Sequence, residues 1–412
     1  MLRHYSGSLG EFVYNDDEFK VELVCLKKDV FKDALRYIGN GNAVSLPKGC
    51  TSTRFMFCGC KLPEGFSLYE SFNTSNVVDM TCMFYDCKLP KGFTLGLNFN
   101  TSNVIDMTGM FYGCDLPENF SLGPNFDTSG VISMRYMFCK CDLPAEFSLG
   151  PKFNTSSVKS MKSMFEYCHA HTTLNLGSKF NTENVTNMEC MFMDAKFDDG
   201  IELGANFDTS NVQTMQRMFS NTKVGDKFSL GNKFDTSNVK KFSSMFTNVI
   251  FPADFKFPSR FIISDTANIR NMFDWTKFPV NFCLDIKCNI TSKYCAVFQG
   301  CTFPKGFSFG ERFNVEKGVL LEDFFDGCYV DGEDLDGYLS KYAIDAVNYF
   351  KKSNDGCHIT INSNSISKDD LVKHISHVLN VSESSVCNAI DSFVQKYSDE
   401  DSNTESEGMN LF

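Results

Sequence analysis

Thiols and imidazoles are the side chains here with the widest chemical range, and the thiols are placed with a period. Cys60, Cys87, Cys114, Cys141 and Cys168 lie 27 residues apart, and Cys301 and Cys328 resume the series. Such a row could ligate metal or supply a nucleophile. Between its two stretches, however, the same place holds Ala195, Thr222, Val249 and Thr276. A position that accepts Ala, Thr and Val asks for a small buried side chain, so the row is expected to be a reduced core ladder. Cys58-Gly59-Cys60 and Cys139-Lys140-Cys141 each add a second thiol, but zinc spacing normally puts two or more residues between partners. Cys168-His169-Ala170-His171 is the one Cys/His cluster. With no second cluster to complete a ligand set, it is expected to be a solvated turn. Phosphate loops, nucleophile elbows and carboxylate pairs outside the repeat are absent from the sequence. The expectation is a chain with no catalytic residue, no cofactor and no metal.

What positions these residues is a repeat. Met-Phe occurs at 56–57, 83–84, 110–111, 137–138, 164–165, 191–192, 218–219, 245–246 and 272–273, every step being 27 residues. Val297-Phe298 follows after 25 and Phe324-Phe325 after 27 more, which gives about eleven units. A full unit, such as Phe72 to Asn98, reads F-[ND]-T-S-N-V-x-x-M-x-x-M-F-x-x-C-x-L-P-x-x-F-S-L-G-x-x. Val77, Met80, Met83, Phe84 and Cys87 recur at threes and fours, which predicts a short helix. Thr74, Ser75 and Asn76 would cap its start, and Gly in FCGC, FYGC, FQGC and FDGC would close its end. The stacked Thr-Ser-Asn should also form a polar ladder between units. Phe66-Ser67-Leu68 alternates in-out-in and predicts a strand. Stacked units would make a parallel sheet on one side and helices on the other. The fold class is thus an α/β solenoid, a right-handed leucine-rich-repeat-like array of 27-residue strand and short-helix units.

The unit resembles the BspA-like leucine-rich repeats of the F-[ND]-T-S-N-V-x-x-M-x-x-M-F type over residues 44–330. That resemblance implies a curved solenoid of the kind found mostly on bacterial or protist surfaces, where it binds host proteins or other cells. This chain shows no export signal or surface anchor, so a cytoplasmic location is expected, with surface display the alternative.

Residues 1–43 depart from the repeat and form an expected N-terminal cap, with a hairpin over Gly10–Leu26 turning near Asn15-Asp16 and a helix over Lys28–Tyr37. Residues 331–397 are expected to be a helical C-terminal cap. They include a helix over Asp334–Lys351, and helices opened by Ser367 and Ser382 that resemble the N-terminal helical hairpin of HU-type DNA-binding proteins. In HU this hairpin dimerises, so residues 367–397 are a candidate homodimer surface. The basic arms by which HU binds DNA are missing. Residues 398–412 are expected to be a disordered acidic tail.

The chain has 412 residues and a net charge of −12, with 43 Phe and 18 Met against one Trp. No basic face stands out, which disfavours nucleic acid as a partner. The expected partner is another protein. One residue per unit should point outward on the concave side, and this row is uniform and small until it diversifies. Its later members, Asn175, Glu202, Ser229, Lys256, Cys283 and Ser308, are the candidate partner-binding residues. Lys159, Lys162, Lys240 and Lys241 decorate the opposite side and are the second choice. The expected function is a non-catalytic protein-binding scaffold, an effector or inhibitor carried by a mobile element or phage. Its rivals are an exported adhesin and an acidic nucleic-acid mimic.

Overall fold

Residues 27 apart in the sequence lie side by side. In the computed structural model, parallel bridges join Ser52, Asp79, Asp106, Ser133, Ser160, Asn187, Thr214, Lys241 and Asn268 in one unbroken column. A second column begins with Lys61 and Lys88, and includes the strands β5 (Asp142–Leu143), β6 (His169–Ala170) and β8 (Lys196–Phe197). A third holds the pair β7 (Leu174–Asn175) with β9 (Ile201–Glu202) and, further on, β10 (Cys283–Leu284) with β13 (Ser308–Phe309). Each unit is therefore a rung bonded to the rungs before and after it. The structure describes 2–7, 10–15, 20–25, 43–46, 49–68, 72–290, 296–304, 306–316, 324–330 and 333–334.

The expected short helix does not form in the 27-residue units, and among the described residues only Phe324–Phe325 are helical. Residues 81–86, 108–113, 135–140, 162–167 and their equivalents through 270–275 are runs of turns. Alternate N–H groups serve two purposes. Those of Met83, Tyr85 and Cys87 close tight turns on the carbonyls of Met80, Cys82 and Phe84. Those of Cys82, Phe84 and Asp86 reach the next rung, at Thr108, Met110 and Tyr112. A helix would need all of them for carbonyls four residues back. The turns also require a left-handed residue every fourth position, such as Cys82 (φ 53°) and Asp86 (φ 51°) or Tyr136 (φ 58°) and Lys140 (φ 55°). Each such non-glycine residue costs roughly 1–2 kcal/mol locally. The inter-rung bonds and the burial they permit must offset that. A four-residue turn period puts Met80, Met83, Phe84 and Cys87 on the inside just as a helical one would, which is why the spacing alone misled.

The core is a set of side-chain columns. Phe57, Phe84, Phe111 and Phe138 stack ring on ring, at centroid separations of 5.0, 5.4 and 5.7 Å, and the column continues through Phe165 to Phe298. Phe72, Phe99 and Phe126 make a second column at 6.3 and 6.4 Å. All of these rings are buried. The threonine at the head of each Thr-Ser-Asn, or of its Thr-Ser-Gly variant at 128–130, is buried too, and its hydroxyl donates to a carbonyl of the next rung: Thr74 to Asn100, Thr101 to Asp127 and Thr128 to Asn154, each at 2.7 Å. The asparagines work in the other direction. Asn103 donates to Ser75 O at 2.7 Å and Asn184 to Ser156 O at 2.9 Å. Buried main-chain acceptors between rungs are thereby satisfied.

At the N-terminal end, β1 (Leu2–Gly7), β2 (Gly10–Asn15) and β3 (Lys20–Cys25) pair antiparallel in order, and β4 (Ala43–Ser45) joins β3 in parallel. At the other end of the array, β11 (Cys288–Ile290) pairs with β14 (Phe313–Val315), and β12 (Thr302–Phe303) with β15 (Tyr329–Val330). There β15 turns back antiparallel onto β16 (Glu333–Asp334), so strand occupies Asp334, where a helix was expected to begin. The chain divides into two compact units, 1–354 and 355–412. The expected helix over 28–37, the rest of the helical cap and hairpin (335–397) and the acidic tail lie outside the described residues.

Candidate functional site

The outward row is set by the alternation of β7, β9 and β10 and their equivalents. Phe93 and Leu95, Leu174 and Leu176, and Phe228 and Leu230 are buried, whereas Thr94, Asn175 and Ser229 between them are exposed. Glu202, Lys256 and Cys283 are exposed as well. Ser308 is not: it is 6% exposed, between the buried Phe307 and Phe309. The expectation that it points outward is corrected here. It stacks on the exposed Cys283 through the parallel pair β10–β13, but is covered where Cys283 is not.

Neighbours in the row touch. Asn175 Nδ2 donates to Glu202 Oε2 at 2.7 Å, and Ser67 and Thr94 are hydrogen-bonded at 3.1 Å. Glu202 and Ser229 share a surface depression of about 570 Å³, with Lys227 and Lys233 at its edge. That places one carboxylate and two ammonium groups beside small polar residues, a surface suited to reading side chains of mixed charge. Asn175 adjoins this depression through Glu202. Lys256 and Cys283 are not among its lining residues.

The lysines of the second choice are partly engaged. Lys162 Nζ lies 2.9 Å from Glu189 Oε1, and Lys159 donates to Asn184 Oδ1 at 3.1 Å. Lys240 and Lys241 are exposed.

Sequence reasoning passed over the large side chains on the turn face. Tyr85 and Tyr112 stack at 4.3 Å, and Lys140 Nζ lies 5.5 Å from the Tyr112 ring and 5.9 Å from that of Tyr167. Tyr167 is 49% exposed and Trp275 59%. Aromatic residues and cations of this kind anchor many protein interfaces. The repeat itself carried the signal, because Tyr85 and Tyr112 are one period apart at a place that an undistorted helix would not have distinguished.

The cysteine ladder lies in the core. Cys60, Cys87, Cys114, Cys141, Cys168, Cys301 and Cys328 are all buried. Burial raises the Cys114 thiol to about 12, against a small opposing effect from the Cys87 backbone. Desolvation pushes Cys141 and Cys168 well above the ordinary thiol value too. A thiol held neutral is neither nucleophile nor ligand.

Stacked rungs, columns of repeated core residues and a variable outward row define a tandem-repeat protein. The chain belongs to the family described as "Mycoplasma protein of unknown function, DUF285", which matches residues 51–173, 118–228 and 168–287 in overlapping registers and so covers more than half of the chain. No curated protein and no solved structure matches it. Among the described residues no helix is long and apolar enough to cross a membrane.

Proposed function

We propose that this repeat protein is a non-catalytic scaffold that binds another protein, built as a right-handed solenoid of the BspA-like leucine-rich-repeat kind and acting inside the cell. The observation that carries the reading is the contrast along the outward row. Thr94, Ser121 and Ser148 are small on successive rungs, and Asn175, Glu202, Ser229 and Lys256 then vary in size and charge on rungs whose buried positions keep the same pattern. Ser121, Ser148, Asn175 and Ser229 each accept from the N–H of the glycine two residues on, a structural task that Glu202 and Lys256 depart from, so the change in size and charge there goes beyond what the turn requires and is free to serve recognition. The depression shared by Glu202 and Ser229 supplies a concave point of attachment on the same stretch.

The test is a photo-crosslinking residue placed at Ser229, with a matched probe at Ser121 as control, expressed in the native host. A partner captured at position 229 and not at 121, and lost on Glu202→Arg, supports the proposal. Equal capture at both positions, or capture insensitive to Glu202→Arg, removes this row as the binding face.

A further inference from the structure

We propose that Asp142, His169 and His171 bind one divalent late transition-metal ion of the Zn2+ type, and that Asp198 orients both imidazoles from behind. The four residues come from three successive rungs. Asp142 in β5 pairs directly with His169 in β6, and His171 follows beyond the buried Ala170, so the two rings emerge on one side with centroids 4.1 Å apart.

The two nitrogens of each ring face different carboxylates. Asp142 Oδ1 lies 3.2 Å from His169 Nδ1 and 3.0 Å from His171 Nε2. The opposite nitrogens face Asp198 Oδ2: His169 Nε2 at 3.4 Å, within hydrogen-bonding distance, and His171 Nδ1 at 3.8 Å. Asp142 Oδ1 is itself closed to solvent and has no hydrogen-bond partner. Its short approaches to the two imidazoles therefore lack hydrogen-bond geometry.

A neutral imidazole carries one N–H. With those protons directed at Asp198, the remaining lone pairs of His169 and His171 converge on a carboxylate oxygen that is also a lone-pair donor. One ligand atom from each of Asp142, His169 and His171 lies within 4.8 Å of the others. Three convergent donors repel unless a cation lies among them. Bonds of about 2.0–2.2 Å to such a cation put tetrahedral ligands roughly 3.3 Å apart, close to the two separations at Asp142 Oδ1.

The donor set selects the ion. Two imidazoles and one carboxylate suit Zn2+, Ni2+ or Co2+, whereas Ca2+ and Mg2+ want oxygen alone. Asp198 takes the role that a carboxylate behind a metal-bound histidine commonly takes, fixing tautomer and ring angle. Lys196 continues the Asp142–His169 ladder on the next rung and is exposed, a positive charge that opposes any dication equally and leaves the choice of ion to the donor atoms. Cys168 is buried in the core ladder, so its thiol is not part of the set.

Titrating the reduced full-length chain with Co2+ tests this. We expect one equivalent bound, with visible d–d bands and no thiolate charge-transfer band, and displacement by Zn2+. His169→Ala and the exposed His171→Asn should each lose binding by at least tenfold, and Asp198→Asn by about 10–100-fold. Circular dichroism should show each variant folded, and Zn2+ should raise the melting temperature of the wild type but not of His171→Asn. Uptake undiminished in both histidine variants, a thiolate band, or no saturable uptake at millimolar Co2+ would each overturn the proposal. The last outcome, joined to a melting temperature that rises in acid only when both histidines are present, would assign the cluster to doubly protonated imidazoles between two carboxylates.

Discussion

The thiol of Cys114 donates to the carbonyl of Phe84, thirty residues earlier, at 2.9 Å. Cys141 does the same to Phe111 at 2.8 Å, and Thr276 to Phe246 at 2.7 Å. Cys114, Cys141 and Thr276 thus use the ladder position to give a proton as well as to fill it, whereas Ala195 and Val249 hold the same place by size alone. Cys114→Thr should keep the bond and melt close to wild type. Cys114→Ala should lose it and leave a small cavity, lowering stability by about 1 kcal/mol in thermal unfolding. If Ala proves as stable as Thr, the thiol bond contributes nothing.

Base should weaken the array. Burial holds the Cys114 thiol at about 12 and lifts Cys87, Cys141, Cys168 and Cys301 above the model-compound value of 9.0 as well. The unfolded chain then releases these protons at lower pH than the folded one. Stability is full below the unfolded thiol value and falls as pH rises from there toward the folded values. Denaturant midpoints measured between pH 8 and 11 should drop steadily, whereas midpoints that stay flat would contradict the buried, neutral ladder.

Acid acts through different groups. Burial would raise the Asp127 and Asp235 carboxyls, but the hydroxyl and N–H of Ser129 and Ser237 outweigh it and hold them low, with Lys152 and Arg260 assisting respectively. Their stabilising effect is present above the unfolded carboxylate value and is lost as pH falls toward the folded one. Asn occupies this place in other units, at Asn73, Asn100, Asn154 and Asn181. Asp127→Asn with Asp235→Asn should therefore fold normally and show a shallower loss of stability below pH 4 than the wild type.

Phe111 is fully buried and stacks between Phe84 and Phe138 at 5.4 and 5.7 Å. Phe111→Asp places an unpaired charge in that column, and the adjoining rungs lose their partners along with it. One cooperative transition at greatly reduced temperature is expected by calorimetry. A wild-type melting profile would refute the column.

Two glycines distinguish local strain from contact. Gly92 has φ +73° and open space where a Cβ would go, whereas Gly225 (φ +78°) lies against the backbone of Gly200 one rung earlier. Gly92→Ala should cost about 1 kcal/mol, the left-handed penalty alone. Gly225→Ala should cost more, because main chain cannot step aside. Comparable losses would mean the rungs yield there.

The period was legible in the sequence, and with it the inward set: Met80, Met83, Phe84 and Cys87 are buried as their recurrence requires. The conformation was not. Turns of about four residues and helical turns of 3.6 place the same side chains inside, and only the direction of the N–H groups separates them. Asp142 and Asp198 were hidden for a different reason. A ligand search along the chain finds His169 and His171 alone, whereas stepping back 27 residues from one and forward 27 from the other reaches both carboxylates. Ser308 was misplaced because alternation gives the direction of a side chain and not how far its neighbours cover it.

The 25-residue step between Phe273 and Phe298 has a consequence for how the chain finds its place while folding. Rungs with nearly the same sequence can pair one unit out of step, looping out a whole repeat while still burying equivalent side chains, and such a slip would be slow to undo. The shortened unit does not tolerate that exchange. Asn271, Phe273 and Trp275 donate to Ala296, Val297 and Gln299, 25, 24 and 24 residues on, where the same positions of the rung before (Ser244, Phe246 and Asn248) reach 26, and Gly300 passes beneath the Trp275 ring where any Cβ would collide. The single irregular step and the single tryptophan together act as a key that only one alignment fits, so the C-terminal rungs can set the count for the otherwise interchangeable ones before them.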